Sequence, residues 1–261
     1  MNFADLKSFL DQKHDQYNRP EFIETDPIQV AHTFKRKEDI EIMAFLSSQI
    51  AWGNRTAIIK SAEKIKSLLK NNPYEYLTGS KEKDFPDSFQ FVHRTFNGID
   101  LNYFLKALRH IYLQYGGLES VFNQGFAVDN SIPSALKHFR SVFFELPGPV
   151  RTGKHIADVG KLSSAKRLNL FLMWMVRNDK RGVHFGLWNK IPTCKLLIPL
   201  DVHVGNTARM LGLLNRKQND LKSVIELTDN LKAFDPNDPV KYDFALFGAG
   251  VFEGFGKDLS H

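Results

Sequence analysis

The sequence predicts an all-α protein, and three features of its patterning carry that expectation. Apolar residues recur at three- and four-residue spacing over most of the chain, strict apolar–polar alternation is rare, and Pro and Gly stand between helical stretches more than at hairpins. The 261 residues are 43% hydrophobic and 25% charged, which suits one large domain or two small ones and excludes a disordered chain, a collagen and a disulfide-built scaffold.

In chain order, the helical pattern runs over Leu6 to Leu10, Ile40 to Ile50, Ala57 to Leu69, Leu101 to Tyr115, Ile132 to Phe144, Lys166 to Val176, Val202 to Leu214, Leu221 to Leu231 and Tyr242 to Phe247. The first break, Leu146-Pro-Gly-Pro-Val-Arg-Thr-Gly153, predicts a loop or hinge. Pro192 and Pro199 predict a second loop just before Asp201. In Asp235-Pro-Asn-Asp-Pro239, Asp238 is expected to cap the last helix and Pro239 to take its first position. The run Gly248-Ala-Gly-Val-Phe-Glu-Gly-Phe-Gly256 follows a helical pattern and lacks the Lys-Ser/Thr ending of a phosphate loop, so it reads as a helix terminus and turn.

One cysteine, Cys194, allows no internal disulfide and too few thiolates for a zinc ribbon or an iron–sulfur cluster. The nine histidines include no zincin-type pair with an intervening Glu, so neither a metal nor a cofactor is expected. The amino terminus has no basic-then-apolar leader. The longest apolar stretch, Leu168 to Val176, is interrupted by Asn169 and is too short for a bilayer. A cytoplasmic protein with no membrane partner is the expectation.

Charge is unevenly spread. Residues 151–217 hold 13 Lys/Arg against 3 Asp/Glu, whereas residues 1–150 balance at 18 each and residues 218–261 are acidic. A basic block of this kind fits a phosphate-binding face, since cations that displace counterions supply sequence-independent affinity for nucleic acid. It also fits a solvated surface or a site for an anionic metabolite.

Two segments carry candidate chemistry. In Lys161-Leu-Ser-Ser-Ala-Lys-Arg-Leu-Asn-Leu-Phe-Leu-Met-Trp-Met-Val176, the serines are expected to cap a helix that is apolar on nearly every face. Lys166 then sits at its amino-terminal turn, where the helix dipole and partial burial both disfavour the ammonium form, and a neutral amine is the better nucleophile. A solvent-facing helix end, or a phosphate contact without catalysis, accounts for Lys166 equally well, and Lys161 competes for the nucleophile's role. In Ile198-Pro-Leu-Asp-Val-His-Val-Gly-Asn-Thr-Ala-Arg209, Asp201 has the position of an N-cap. A carboxylate there is also placed to stabilise a cationic intermediate.

These residues resemble the helix-hairpin-helix DNA glycosylase superfamily. Asp201-Val-His203 with Arg209 and Leu211-Gly212 is similar to its Val-Asp-Thr/Val-His element, whose Asp is catalytic. Lys166 is similar to the lysine of its bifunctional members, and Phe45-Leu-Ser-Ser-Gln49 resembles its Leu-Ser-x-Gln element. Lys166–Asp179 and Asp235–Phe247 further resemble a bacterial family, without an assigned activity, placed in that superfamily. The resemblance spans residues 36–252.

It implies a two-lobed helical fold with a cleft, residues 36–197 forming one lobe and residues 1–35 with 198–261 the other. It implies a DNA glycosylase and AP lyase of base excision repair, acting on damaged duplex DNA that carries a purine lesion such as 8-oxoguanine. Lys166 and Asp201 are then catalytic, Gln49 fills the gap in the base stack, Lys161, Arg167 and Arg209 contact DNA, and Trp52 or Trp188 stacks on a base. The sequence departs from the pattern in three ways. Gly160-Lys-Leu-Ser-Ser-Ala165 replaces the glycine-rich hairpin, the Lys166-to-Asp201 separation of 35 residues is long and nearer to the archaeal 8-oxoguanine branch, and the cluster cysteines of the endonuclease III branch are missing. Two rival readings stay open: a nucleic-acid-binding protein that retains the fold without the chemistry, and a binder of a small anionic molecule.

Overall fold

The computed structural model describes residues 1–81 and 85–256, and among these the regular secondary structure is helical apart from one short antiparallel hairpin. The chain divides into two compact units, a terminal one of residues 1–22 and 159–261 and a central one of residues 23–158. The terminal unit opens with α1 (Phe3–Tyr17). The central unit holds α2 (Gln29–His32), α3 (Lys37–Gln49), α4 (Arg55–Leu68), α5 (Pro73–Gly79), the hairpin β1 (Val92–His93) and β2 (Phe96–Asn97), α6 (Gly98–Gln114), α7 (Leu118–Phe126) and α8 (Ile132–Phe143). The terminal unit resumes with α9 (Lys166–Val176), α10 (Val202–Met210), α11 (Leu221–Lys232) and α12 (Asp243–Phe252).

The unit boundaries, at 22/23 and 158/159, differ from the expected 35/36 and 197/198, so α9 groups with the chain termini. Backbone hydrogen bonds give the reason. Phe185 N and Trp188 N donate to the carbonyls of Trp174 and Met175 at the end of α9, and Leu221 N donates to Leu162 O just before its start.

The central unit is organised on phenylalanines. Phe45 of α3 lies 6.0 Å from Phe104 and 5.5 Å from Phe139, and Phe122 stacks on Phe139 at 4.5 Å. Rings of this size bury large areas and favour such offset and edge-on geometries. Helix α7 escapes the sequence pattern because Gly125 looks like a breaker. The structure uses that glycine for close approach to α8: a Cβ there would lie 2.8 Å from Ala135 Cα. Asn97 and Asp100 form a reciprocal capping box at the start of α6.

In the terminal unit, α9 is buried along Leu168, Phe171, Leu172, Met173, Trp174, Met175 and Val176, as its all-round apolar pattern predicts. The glycine run largely belongs to α12. A Cβ on Gly248 would lie 2.2 Å from the Tyr17 ring, and one on Gly250 would lie 2.7 Å from Thr207 Oγ1, so these glycines let α1 and α10 pack against α12, and only Gly254 and Gly256, at positive φ, serve the turn. Asp238 does not cap α12. Pro239–Tyr242 forms a separate 3-10 turn, and Asp238 instead accepts from Arg177 Nε at 2.8 Å. No helix among the described residues is long and apolar enough to cross a membrane.

Candidate active site

Lys166 and Asp201, 35 residues apart in sequence, meet in the terminal unit: Lys166 Nζ lies 3.4 Å from Asp201 Oδ2. Both are part-buried, with 28% and 18% of their side-chain surface exposed. Each group stands at a helix start. Asp201 is the N-cap of α10 through Oδ1, which accepts from Val204 N at 2.9 Å. The two carboxylate oxygens thus have separate tasks, one fixing the helix and the other facing the amine.

The start of α9 is built differently from what its serines predict. The N-cap is Ala165, in the left-handed region at φ 49°, ψ 34°, without a side-chain cap, and Ser163 Oγ accepts from Ala165 N at 3.3 Å instead of capping. Leu162 is left-handed as well, at φ 59°. The turn before Lys166 therefore takes twice, with Leu and Ala, a conformation that glycine reaches without steric cost. Strain of this kind persists only where surrounding structure over-determines it. Here the surroundings are the segment 216–221: Leu221 N bonds to Leu162 O at 2.9 Å, and Ser163 and Asp220 form an antiparallel bridge.

That segment also reaches the other half of the pair. Asn219 Nδ2 donates to Asp201 O at 3.3 Å, while Asn219 Oδ1 accepts from Arg209 Nη2 at 2.6 Å. Arg209 Nε donates to Arg216 O at 2.7 Å. Its guanidinium is directed at protein carbonyls and Asn219 through Nε and Nη2. Burial lowers the Arg209 pKa, with Glu226 opposing. Arg167 follows Lys166 in the first turn of α9, and burial pulls its guanidinium down to about 10, which leaves it cationic at neutral pH. Lys161 is exposed at the end of the 3-10 turn Val159–Lys161.

Of the other expected residues, Gln49 and Trp52 belong to the central unit and Trp188 to the terminal unit. Gln49 belongs to the central unit and is 1% exposed, its amide donating to Ser48 Oγ at 3.0 Å. A side chain that enters a base stack has to project from the surface, so its placement does not fit the inserting role. Trp188 is 2% exposed and edge-on to Phe171 at 5.4 Å; it is a core residue, not a stacking platform. Trp52 is half-buried in the central unit, edge-on to His93 at 5.2 Å and near-parallel to His155 at 6.1 Å.

The basic block is not a single face either. Arg177, Arg181 and Arg216 pair with Asp238, Asp15 and Asp220, and Arg151 pairs with Asp100, all carboxylates from outside residues 151–217. Four of the thirteen cations of this block therefore balance acids brought in by the fold. Among the described residues, no group of three or more His, Cys, Asp or Glu is arranged to hold a metal ion.

Sequence reasoning missed Asn219 and Asp220, because polar residues in a loop carry no periodic signal. It also missed a polar cluster of the central unit. Asp100, fully buried, accepts from Thr152 Oγ1 at 2.8 Å and Asn97 N at 3.0 Å and lies 3.0 Å from Arg151 and 3.3 Å from His155. His93 bonds Ser61 Oγ at 2.9 Å and Trp52 O at 3.3 Å; burial lowers its pKa and Arg94 adds to that, against the Trp52 carbonyl.

Residues 26–252 match the family described as Protein of unknown function (DUF2400), and the chain belongs to that family. No curated protein and no solved structure matches it at a significant level.

Proposed function

We propose that this DUF2400 member is a DNA-binding protein of the base-excision-repair type, a cytosolic DNA glycosylase and AP lyase acting on a damaged purine such as 8-oxoguanine. The two-lobed glycosylase architecture is part of the same proposal. One observation supports it above the rest: the amine and the carboxylate that resemble the superfamily's catalytic pair stand 3.4 Å apart and part-exposed.

On this reading the lesion is extruded from the duplex, because its anomeric carbon is out of reach inside the stack. After the Lys166 ammonium gives up a proton, its nitrogen lone pair forms a bond to C1′ as the glycosidic bond breaks, and the base departs with the bonding pair and takes up a proton. The sugar C1′–O4′ bond then opens, O4′ keeping the bonding pair and taking up one of the two protons on the amine nitrogen, to leave a protonated Schiff base. Loss of a C2′ proton expels the 3′-phosphate, and water finally releases the lysine. Asp201 Oδ2 faces the carbon at which positive charge develops, where a fixed carboxylate has its largest effect. Lys161 and Arg167 supply phosphate contacts.

The test is covalent trapping. The protein is incubated with duplex DNA containing 8-oxoguanine or an abasic site and reduced with borohydride; a crosslink that Lys166→Ala abolishes and Lys161→Ala retains is the expected result. The same ion pair also favours a second reading, a DNA binder without chemistry in which Lys166 is simply neutralised by Asp201. Salt-sensitive binding with no crosslink to either DNA is the outcome that selects it.

A further inference from the structure

The segment after α10 holds a second set of groups aimed at the Lys166–Asp201 pair. We infer that Asn219 is a positioning residue for Asp201, oriented by Arg209 and seated in a space left open by Gly205. The catalytic meaning of this assignment rests on the function proposed above; its geometry does not.

Three observations converge on it. Asn219 has both ends of its amide engaged, donating to the backbone carbonyl of Asp201 and accepting from Arg209. Arg209 is itself fixed by the carbonyls of Arg216 and Gln218, at 2.7 and 3.3 Å, so the acceptor end of Asn219 faces a donor that cannot swing away. Gly205, inside α10, completes the arrangement: a Cβ there would lie 2.8 Å from Asn219 Oδ1 and 2.9 Å from Arg209 Nη1. A glycine in a helix interior is unfavourable relative to alanine, and here its missing methyl is the room the Asn219–Arg209 pair occupies.

The consequence for the pair is geometric. Asp201 Oδ1 is tied to Val204 N, so the direction of Oδ2 depends on the backbone at Asp201, and Asn219 holds that carbonyl. The same segment is bonded at Leu221 and Asp220 to the turn before Lys166. Residues 216–221 therefore tie the carboxylate's helix to the amine's helix and set the distance between them.

The experiment compares the labelling rates of Lys166 and Lys161 by an amine-reactive succinimidyl ester at pH 8, read by peptide mass spectrometry on the full-length protein. An amine held against a carboxylate is withheld from electrophiles, so Asp201→Asn sets the ceiling for release of Lys166. Asn219→Asp keeps the acceptor for Arg209 and replaces the donor to Asp201 with a second acceptor. It is expected to raise Lys166 labelling about threefold, with Lys161 unchanged. Gly205→Ala is the second variant, because it favours the helix while displacing Asn219 and Arg209; the same rise with no fall in Tm separates positioning from general loosening. The inference is overturned by unchanged Lys166 labelling in the folded variants, by an equal rise at Lys161, or by no response to Asp201→Asn. Borohydride trapping on abasic-site DNA, run on the unsubstituted protein, reads the proposed function separately: its absence removes the glycosylase reading and leaves the labelling result standing.

Discussion

Two aspartates at helix starts, one in each compact unit, show how the same residue serves different ends. Asp100, in the first turn of α6, has no exposed surface, accepts hydrogen bonds from Asn97 N and Thr152 Oγ1, and lies beside Arg151 and His155 at 3.0 and 3.3 Å. Asp201, at the start of α10, gives one oxygen to its helix and turns the other to a part-exposed amine. A carboxylate with no exposed surface is out of a substrate's reach and acts as a structural tie. One that faces a part-exposed amine stays within reach of a substrate. The contrast locates the candidate chemistry in the terminal unit.

The largest effects that sharpen the comparison concern the pair. Lys166→Ala is expected to abolish the borohydride crosslink entirely, since no other atom replaces the nucleophile. Asp201→Asn isolates electrostatics from capping, because Asn caps as well as Asp: thermal stability should stay within about 0.5 kcal/mol of the parent, while trapping slows on the order of a hundredfold. Equal loss of stability and trapping would show Asp201 to be only a cap, like many other aspartates.

Asp100 should show the reverse. Asp100→Ala leaves Thr152 and the Asn97 amide without their acceptor in a buried site and Arg151 without its counter-charge, and is expected to cost about 3 kcal/mol by chemical denaturation. Trapping by the folded fraction should be unchanged. If trapping falls while stability holds, the division of labour drawn here is reversed.

The legible parts of this fold were those with a strong periodic or capping signal. The all-round apolar pattern of 166–176 fixed α9 as a buried helix, and the Pro-bordered loop before Asp201 fixed its capping role. Sequence could not show that Leu162 and Ala165 take left-handed conformations, because neither residue advertises it. It gave no hint of Asn219, whose role comes from a loop returning to α10. It overstated the basic block, since Arg177 is matched by Asp238, 61 residues on, and charge counted along a chain ignores partners supplied by tertiary structure. Gln49 and Trp188 failed for a similar reason, as motif position does not report burial.

The terminal unit should also be the more acid-sensitive. His14 of α1 is pushed down to about 4, chiefly by burial and then by the nearby charges of Arg177 and Arg181, against the Lys241 carbonyl. Its neutral ring donates from Nδ1 to Lys241 O at 3.0 Å, leaving Nε2 to accept from Asn18 at 3.4 Å. A depressed histidine pKa means that the unfolded chain takes up the proton first. The contribution is therefore complete above pH 6.5, declines as pH falls, and is lost below about 4, with an expected total on the order of 3 kcal/mol. Urea titrations of the parent and His14→Gln across this range should converge as the pH falls; parallel curves would place the acid sensitivity elsewhere.

The smallest expected effect tests the strain ahead of Lys166. Leu162 is 47% exposed and left-handed, whereas Ala165, equally left-handed, is 1% exposed. Replacing a left-handed residue with glycine relieves about 1 kcal/mol of backbone strain, against the greater entropy of glycine in the unfolded chain. At Leu162 the half-exposed side chain and the glycine entropy together offset the relief, so Leu162→Gly should be nearly neutral. At Ala165 the lost methyl is fully buried and worth about 0.8 kcal/mol, which together with the glycine entropy outweighs the relief and makes Ala165→Gly destabilising by about 0.5 kcal/mol. Denaturation midpoints that rank the two variants the other way would mean that the contacts with 216–221, not the intrinsic preference of each residue, set the energy of this turn.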